Sequence, residues 1–147
     1  MHPGILGMRH DRCLMSTESF PCPCGLKQPY SACCGRYHRQ FDETSTLGAP
    51  DAEALMRSRY SAYVQDLPAY LLASWHASSR PAALGLHQPG LRWLGLTVEQ
   101  HLQQDADHAT VEFVARSKLG GRAERQHEIS RFVREKSAWY YLDGERQ

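Results

Sequence analysis

The chain has 147 residues, a formal net charge of +1 and 22% charged residues. That suits one main domain around a single core and excludes the broad basic surface of a non-specific nucleic-acid or membrane binder. No run approaches the ~18 apolar residues of a membrane span, and residues 1–15 lack the apolar stretch of a secretory signal, so the expected location is the cytoplasm.

Residues 1–19 read as a disordered extension, with Met8 and Met15 as alternative starts and Cys13 as a cysteine without assigned function. Residues 20–39 carry the chemistry. Cys22-Pro23-Cys24 and, eight residues on, Cys33-Cys34 form two thiol pairs able to fold over one ion. Four thiolates at ~2.3 Å suit tetrahedral, soft-ligand Zn²⁺, so Cys22, Cys24, Cys33 and Cys34 are the expected ligands of a structural zinc. His38, four residues after Cys34, is an alternative fourth ligand. A redox dithiol would want Cys-x-x-Cys, and the familiar ferredoxin spacings are absent, which sets both alternatives behind zinc. Pro21 and Pro23 fix φ around the first ligand, while Gly25 and Gly35 are expected to supply positive-φ turns. A segment of this size cannot bury enough surface to fold alone, so the metal is expected to supply its folding free energy. Lys27, Arg36 and Arg39 lie near the thiolates, as charge balance or as the face of an acidic partner.

Residues 40–49 are polar and read as a linker, with 50–147 as the main domain. Pro50, Asp51 and Glu53 announce a helix to about Gln65, with Ala52, Leu55, Met56, Tyr60, Tyr63 and Val64 on its apolar stripe. Arg59 falls on that stripe, where the aliphatic stem is expected to pack while the head snorkels to water; pairing inside a cavity is the alternative. Asp66 to Pro68 restarts a shorter helix with Leu71, Leu72 and Trp75 inward. Pro81, Gly85, Pro89 and Gly90 punctuate a loop, after which apolar residues alternate with period two. Strands are predicted over Arg92–Gln104, with Leu94, Leu96 and Val98 on one face, then Thr110–Lys118, Glu124–Glu135 and Ala138–Asp143. Gly120-Gly121 and Lys136-Ser137 fall at the hairpin turns. Helices first and an antiparallel meander after give an α+β fold, with helices covering one face of a curved sheet.

Cys22-Pro-Cys-Gly, Tyr30 and Cys33-Cys34-Gly35 resemble the SEC-C motif, the zinc knuckle at the C-terminus of the SecA translocation ATPase, although Leu26-Lys27 replaces the usual Ser-Gly. The remainder resembles the YchJ-like family of uncharacterised bacterial proteins through Leu55-Met-Arg-Ser-Arg-Tyr-Ser-Ala-Tyr63, Trp75-His76, Trp93-Leu-Gly-Leu-Thr-Val98, Phe113-Val-Ala-Arg116, Ser130-Arg-Phe132 and Trp139-Tyr-Tyr-Leu-Asp-Gly144. This implies a cone-shaped nuclear transport factor 2-like domain carrying a SEC-C-like zinc knuckle.

Two functional classes follow. In the first, the knuckle is a binding module for a protein or ribonucleoprotein partner, such as a ribosomal, chaperone or translocation component, as SecA's knuckle engages the SecB chaperone. Here the cone is an independent body whose melting is expected to survive loss of the metal, with a homodimer through the sheet as one arrangement. In the second, the cone holds a small molecule or an isomerase or dehydratase site, with Arg59, Trp75, Trp93, His127 and Glu128 as pocket candidates. His127 and Glu128 point to opposite faces of one strand, so at most one faces the cavity. No Ser-His-Asp order, phosphate loop or carboxylate pair stands out, which favours binding over catalysis.

Overall fold

A computed structural model describes residues 20–85 and 88–147 of the chain. The expected extension over 1–19, Cys13 included, lies outside the described residues. After a 3₁₀ turn at Tyr30–Ala32 come three helices, α1 (Cys34–Thr44), α2 (Ala52–Gln65) and α3 (Pro68–Ala73). Four strands follow, β1 (Arg92–Asp105), β2 (His108–Leu119), β3 (Arg122–Glu135) and β4 (Ala138–Arg146), paired antiparallel in chain order. Among the described residues no helix is long and apolar enough to cross a membrane.

Asp51 starts α2 by accepting a hydrogen bond from the Ala54 N–H at 2.8 Å, and Glu53 adds a negative charge to its first turn. The helix is buried on more than one side. Leu55, Met56 and Tyr60 belong to the main core with Leu96, Val111, Phe113, Phe132 and Trp139 from the sheet. Ser58 and Ser61, small and fully buried, allow close approach of the segments on its other side. That burial corrects the single-stripe reading: Tyr63 is exposed, while the serines are inside.

The segment expected as a polar linker differs in its first half. Residues 40–44 are the end of α1, which stops at Ser45 in the left-handed conformation. Leu47 then packs against the Ala62, Tyr70 and Leu71 cluster, and Ala49 joins the main core. Apolar residues spaced along a polar stretch thus fasten it to α2 and α3.

The sheet curves because β1 carries three register irregularities, the first between Trp93 and Gly95. The extra residue there puts Trp93 on the helix-facing side with Leu96 and turns Leu94 out to 49% exposure. The expected alternation of Leu94, Leu96 and Val98 is therefore broken at its first member. At the opposite edge, the segment after α3 covers β4. Tyr141 N–H donates to Ser74 O at 2.9 Å, and His76 N–H donates to Tyr141 O at 2.8 Å.

Candidate functional site

The first thiol pair sits in a short hairpin. Pro21 bridges Pro29, Cys22 N–H donates to Gln28 O at 2.8 Å, and Tyr30 N–H donates to Phe20 O at 2.9 Å. Gly25 closes the turn after Cys24 with φ of 90°, and a Cβ there would stand 3.3 Å from the Leu96 carbonyl of β1. Glycine therefore serves both conformation and contact. The second pair straddles the start of α1, with Cys34 as the first helical residue. Gly35, expected to supply a positive φ, is instead helical. Its lack of a side chain matters because a Cβ would fall 2.6 Å from Tyr30 O.

These two pieces place the sulfurs of Cys22, Cys24, Cys33 and Cys34 within 4.8 Å of one another, with Cys24 and Cys33 Sγ 3.6 Å apart. A tetrahedral site with ~2.3 Å metal–sulfur bonds has sulfurs about 3.8 Å apart, so the cage fits one ion. Its electrostatics agree. Hydrogen bonds from Cys24 and Cys34 draw Cys22 far down, burial pushes Cys33 up to about 12, and the neighbouring sulfurs push Cys34 strongly up. These shifts come from burial and from sulfurs crowding one another, a repulsion that a cation held among them would relieve.

Helix α2 backs the cage. Ser61 Oγ lies 3.6 Å from Cys22 Sγ, and Arg57 Nη1 donates to Cys24 O at 2.8 Å while its Nε donates to Glu53 Oε2 at 2.9 Å. Glu53 also lies 3.7 Å from His101 Nδ1 on β1. His38 stands apart from the four-sulfur group. Its Nε2 faces Ser58 O at 2.9 Å, and a carbonyl can only accept, so Nε2 carries the proton and Nδ1 accepts from the Tyr30 hydroxyl. Both ring nitrogens are engaged by protein, and burial holds His38 below its ordinary value of 6.5. The cysteines are 0–5% exposed, so an ion held there would be shielded from water.

The second site is a cleft of about 1230 Å³ between α2–α3, the loop leading to β1, and the ends of β1–β3. Trp75 and Trp93 line it, with Tyr63, Leu71 and Leu72 among their neighbours. Arg59 lies behind that lining. Expected to snorkel, it is 5% exposed, its charge stacked 5.1 Å from the Trp75 ring centre and 4.6 Å from that of Tyr141. Nη1 donates to Leu71 O at 2.8 Å and to Ser74 Oγ at 2.7 Å. Backbone and aromatic faces thus compensate the burial that snorkelling would have avoided.

His127 and Glu128 do fall on opposite faces. His127 bonds Glu112 Oε2 at 2.7 Å on the outer face, whereas Glu128, opposite Phe113, shares the helix-facing side with Gln126. Neither lines the cleft, whose β3 contributions are Arg122, Glu124 and Gln126. Sequence reading missed Tyr63 and Gln126 there, because a cleft wall is set by which strand ends splay from the helices. It also missed a surface line in which His76 contacts Ser78 Oγ and Glu135 Oε2, each at 2.8 Å. The Ser78 N–H also donates to His76 Nδ1, which makes this a clamp of the loop to β3.

The domain family described as the YchJ middle nuclear transport factor 2-like domain matches residues 51–144. The chain belongs to the YchJ family. A UPF0225 protein of Methylibium petroleiphilum is 61% identical over 125 residues, covering 85% of this chain and 88% of that protein. A second, from Bordetella pertussis, is 53% identical, covering 84% and 91%. Two solved structures of SEC-C motif proteins share the architecture. The one from Rhodopseudomonas palustris has a TM-score of 0.72 at 32% identity, covering 86% of this chain and 98% of its own. The one from Psychrobacter arcticus has a TM-score of 0.71 at 31% identity, covering 86% and 83%. The YchJ-like assignment, the α+β cone with its helices on one sheet face, and the SEC-C character expected from the cysteine spacing are all borne out.

Proposed function

We propose that this YchJ-family protein is a zinc-stabilised binding module, in which Cys22, Cys24, Cys33 and Cys34 hold one structural Zn²⁺ and the outer face of the knuckle contacts a protein partner. The cage of four mutually adjacent, buried sulfurs carries the reading. Four protein thiolates fill a tetrahedral shell and leave no position for water or substrate, so the ion organises structure. Zinc suits the donor set better than harder cations, which prefer oxygen.

The outer face supports the partner assignment. Leu26 and Phe20 are 46% and 41% exposed, and Lys27, Arg36 and Arg39 of the same segment are exposed as well. No carboxylate among the described residues lies within ion-pair distance of those three cations. Exposed apolar side chains on a knuckle that also carries exposed basic groups complement an acidic segment with an apolar anchor. Metal analysis of the purified protein should give one zinc per chain; iron, or no metal, overturns the assignment. Leu26→Ser combined with Lys27→Glu should keep that zinc and lose a salt-sensitive protein partner identified by mass spectrometry. Unchanged recovery of the partner, or recovery that depends on RNA, removes the protein-partner reading while leaving the zinc reading standing.

A further inference from the structure

We infer that one end of the outer sheet face, built from the start of β1, the end of β2 and the start of β3, docks on the phosphate backbone of a nucleic-acid duplex through Arg92, Arg116, Lys118 and Arg125. Strand register places these cations, independently of the metal site. Arg92 stands opposite Lys118, and Arg116 opposite Arg125. Val111, Phe113 and Ala115 of β2 point into the core, so by alternation Arg116 and Lys118 point outward, and each takes its cross-strand partner to the same face. All four are exposed.

Like charges directly opposite one another destabilise a sheet, and here two such pairs occupy adjacent rows. No carboxylate of a described residue lies within ion-pair distance of any of the four. Glu124 sits opposite Ser117 on the cleft side of the sheet. Glu99, Glu112, Asp143 and Glu145 lie beyond the Thr97–Val114–His127 row, toward the other end. A chain of net charge +1 has no broad basic surface, yet this end concentrates uncompensated cations that folding does not require.

The cations are spaced about 7 Å along the strands and about 5 Å across them, an array that suits a repeating anion. A duplex carries one charge per ~1.7 Å of axis, so each cation meets a phosphate in any register, whereas an acidic protein segment must match the spacing. Arginine forks favour phosphate. Gly95 makes room for one of them: a Cβ there would stand 2.6 Å from Arg116 Nη2, and Nη1 reaches Thr97 Oγ1 at 3.3 Å across the bare backbone of β1. A single strand would be held by stacking on rings, but Trp93 and Phe113 pack toward the core and His127 is engaged with Glu112. The helices cover the other face, so nothing enters a groove, and the contacts stop at the backbone without reading sequence.

The test is fluorescence anisotropy of labelled DNA and RNA duplexes of one sequence with the purified full chain, with polyglutamate as the acidic-chain counterpart. Both duplexes should bind, and affinity should fall about a hundredfold between about 50 and 200 mM salt, the loss expected for four phosphate contacts. Arg116→Gln combined with Arg125→Gln should reduce that loss to about tenfold. Arg131→Gln, at the far end of the same face in a pair with Asp143, should leave it unchanged. The double variant should melt no lower than the parent, because it relieves a like-charged pair. Failure of either duplex to bind, polyglutamate binding as tightly as the duplexes, or an undiminished salt loss in the double variant would each overturn the proposal. So would a lowered melting temperature, which would make these cations part of the fold.

Discussion

His38 shows how much one side chain can settle. Because Ser58 O and the Tyr30 hydroxyl occupy its two nitrogens, His38→Phe should keep one equivalent of metal, whereas Cys34→Ser should lose it. The phenylalanine variant strands two buried partners and should lose about 2 to 4 kcal/mol of stability, measured by urea denaturation. Burial lowers the folded pKa of His38 below 6.5, so the unfolded chain binds more protons around that pH. Stability from this residue is complete above pH 6.5 and falls as pH drops through 6.5 toward the lower folded value. Ring ¹⁵N shifts should accordingly show His38 still neutral, with its proton on Nε2, at pH 6.5, and a charged ring at that pH would contradict the burial argument. Arg59 illustrates the limit of sequence at this scale. Its place on the apolar stripe was legible, but burial depended on Leu71 O, Ser74 Oγ, Trp75 and Tyr141, which come from α3, the segment just after it and β4.

At the level of elements, periodicity located α2 and all four strands within a few residues, because each has one face against a common core. What it could not locate were events without a periodic signature. The bulge at Leu94 exchanges which β1 residues face the helices, and α1 continues through a polar stretch because Tyr37 and Phe41 pack toward Ala62, Tyr70 and Leu71. The knuckle was legible for a different reason: metal ligands must be specific residue types at short spacing. The β3–β4 hairpin offers a stability test. Lys136 and Ser137 both have positive φ, 49° and 70°, the pattern of a two-residue turn that favours Asn-Gly. Lys136→Asn with Ser137→Gly should therefore raise stability by about 0.5 to 1 kcal/mol, or about 1–4 °C in Tm. No gain in calorimetry would mean that the present side chains make compensating contacts in the turn.

Across the whole molecule, the knuckle and cone share one core. Cys22, Cys24, Cys33 and Cys34 cluster with Leu55, Met56 and Tyr60 of α2 and with Leu96 of β1. Arg57 and Ser61 reach from α2 to the cage, and Gly25 lies against the Leu96 carbonyl. A metal that orders the knuckle therefore also completes one wall of the cone, and the independence expected from a polar linker does not follow from this packing. Ligand binding to the folded state alone adds its binding free energy to global stability. Chelating the metal proposed for the cage, or replacing Cys24 with Ser, should lower the melting transition of the entire chain by more than about 10 °C, given the 2–4 °C expected per kcal/mol at this size. Fluorescence from the cone tryptophans and far-UV circular dichroism should move together in that transition, since Trp93 and Trp139 sit in the same cluster as the thiols. A cone transition left in place after the metal is gone would mean that the shared core is not energetically coupled, and the knuckle would return to being a separately folded appendage.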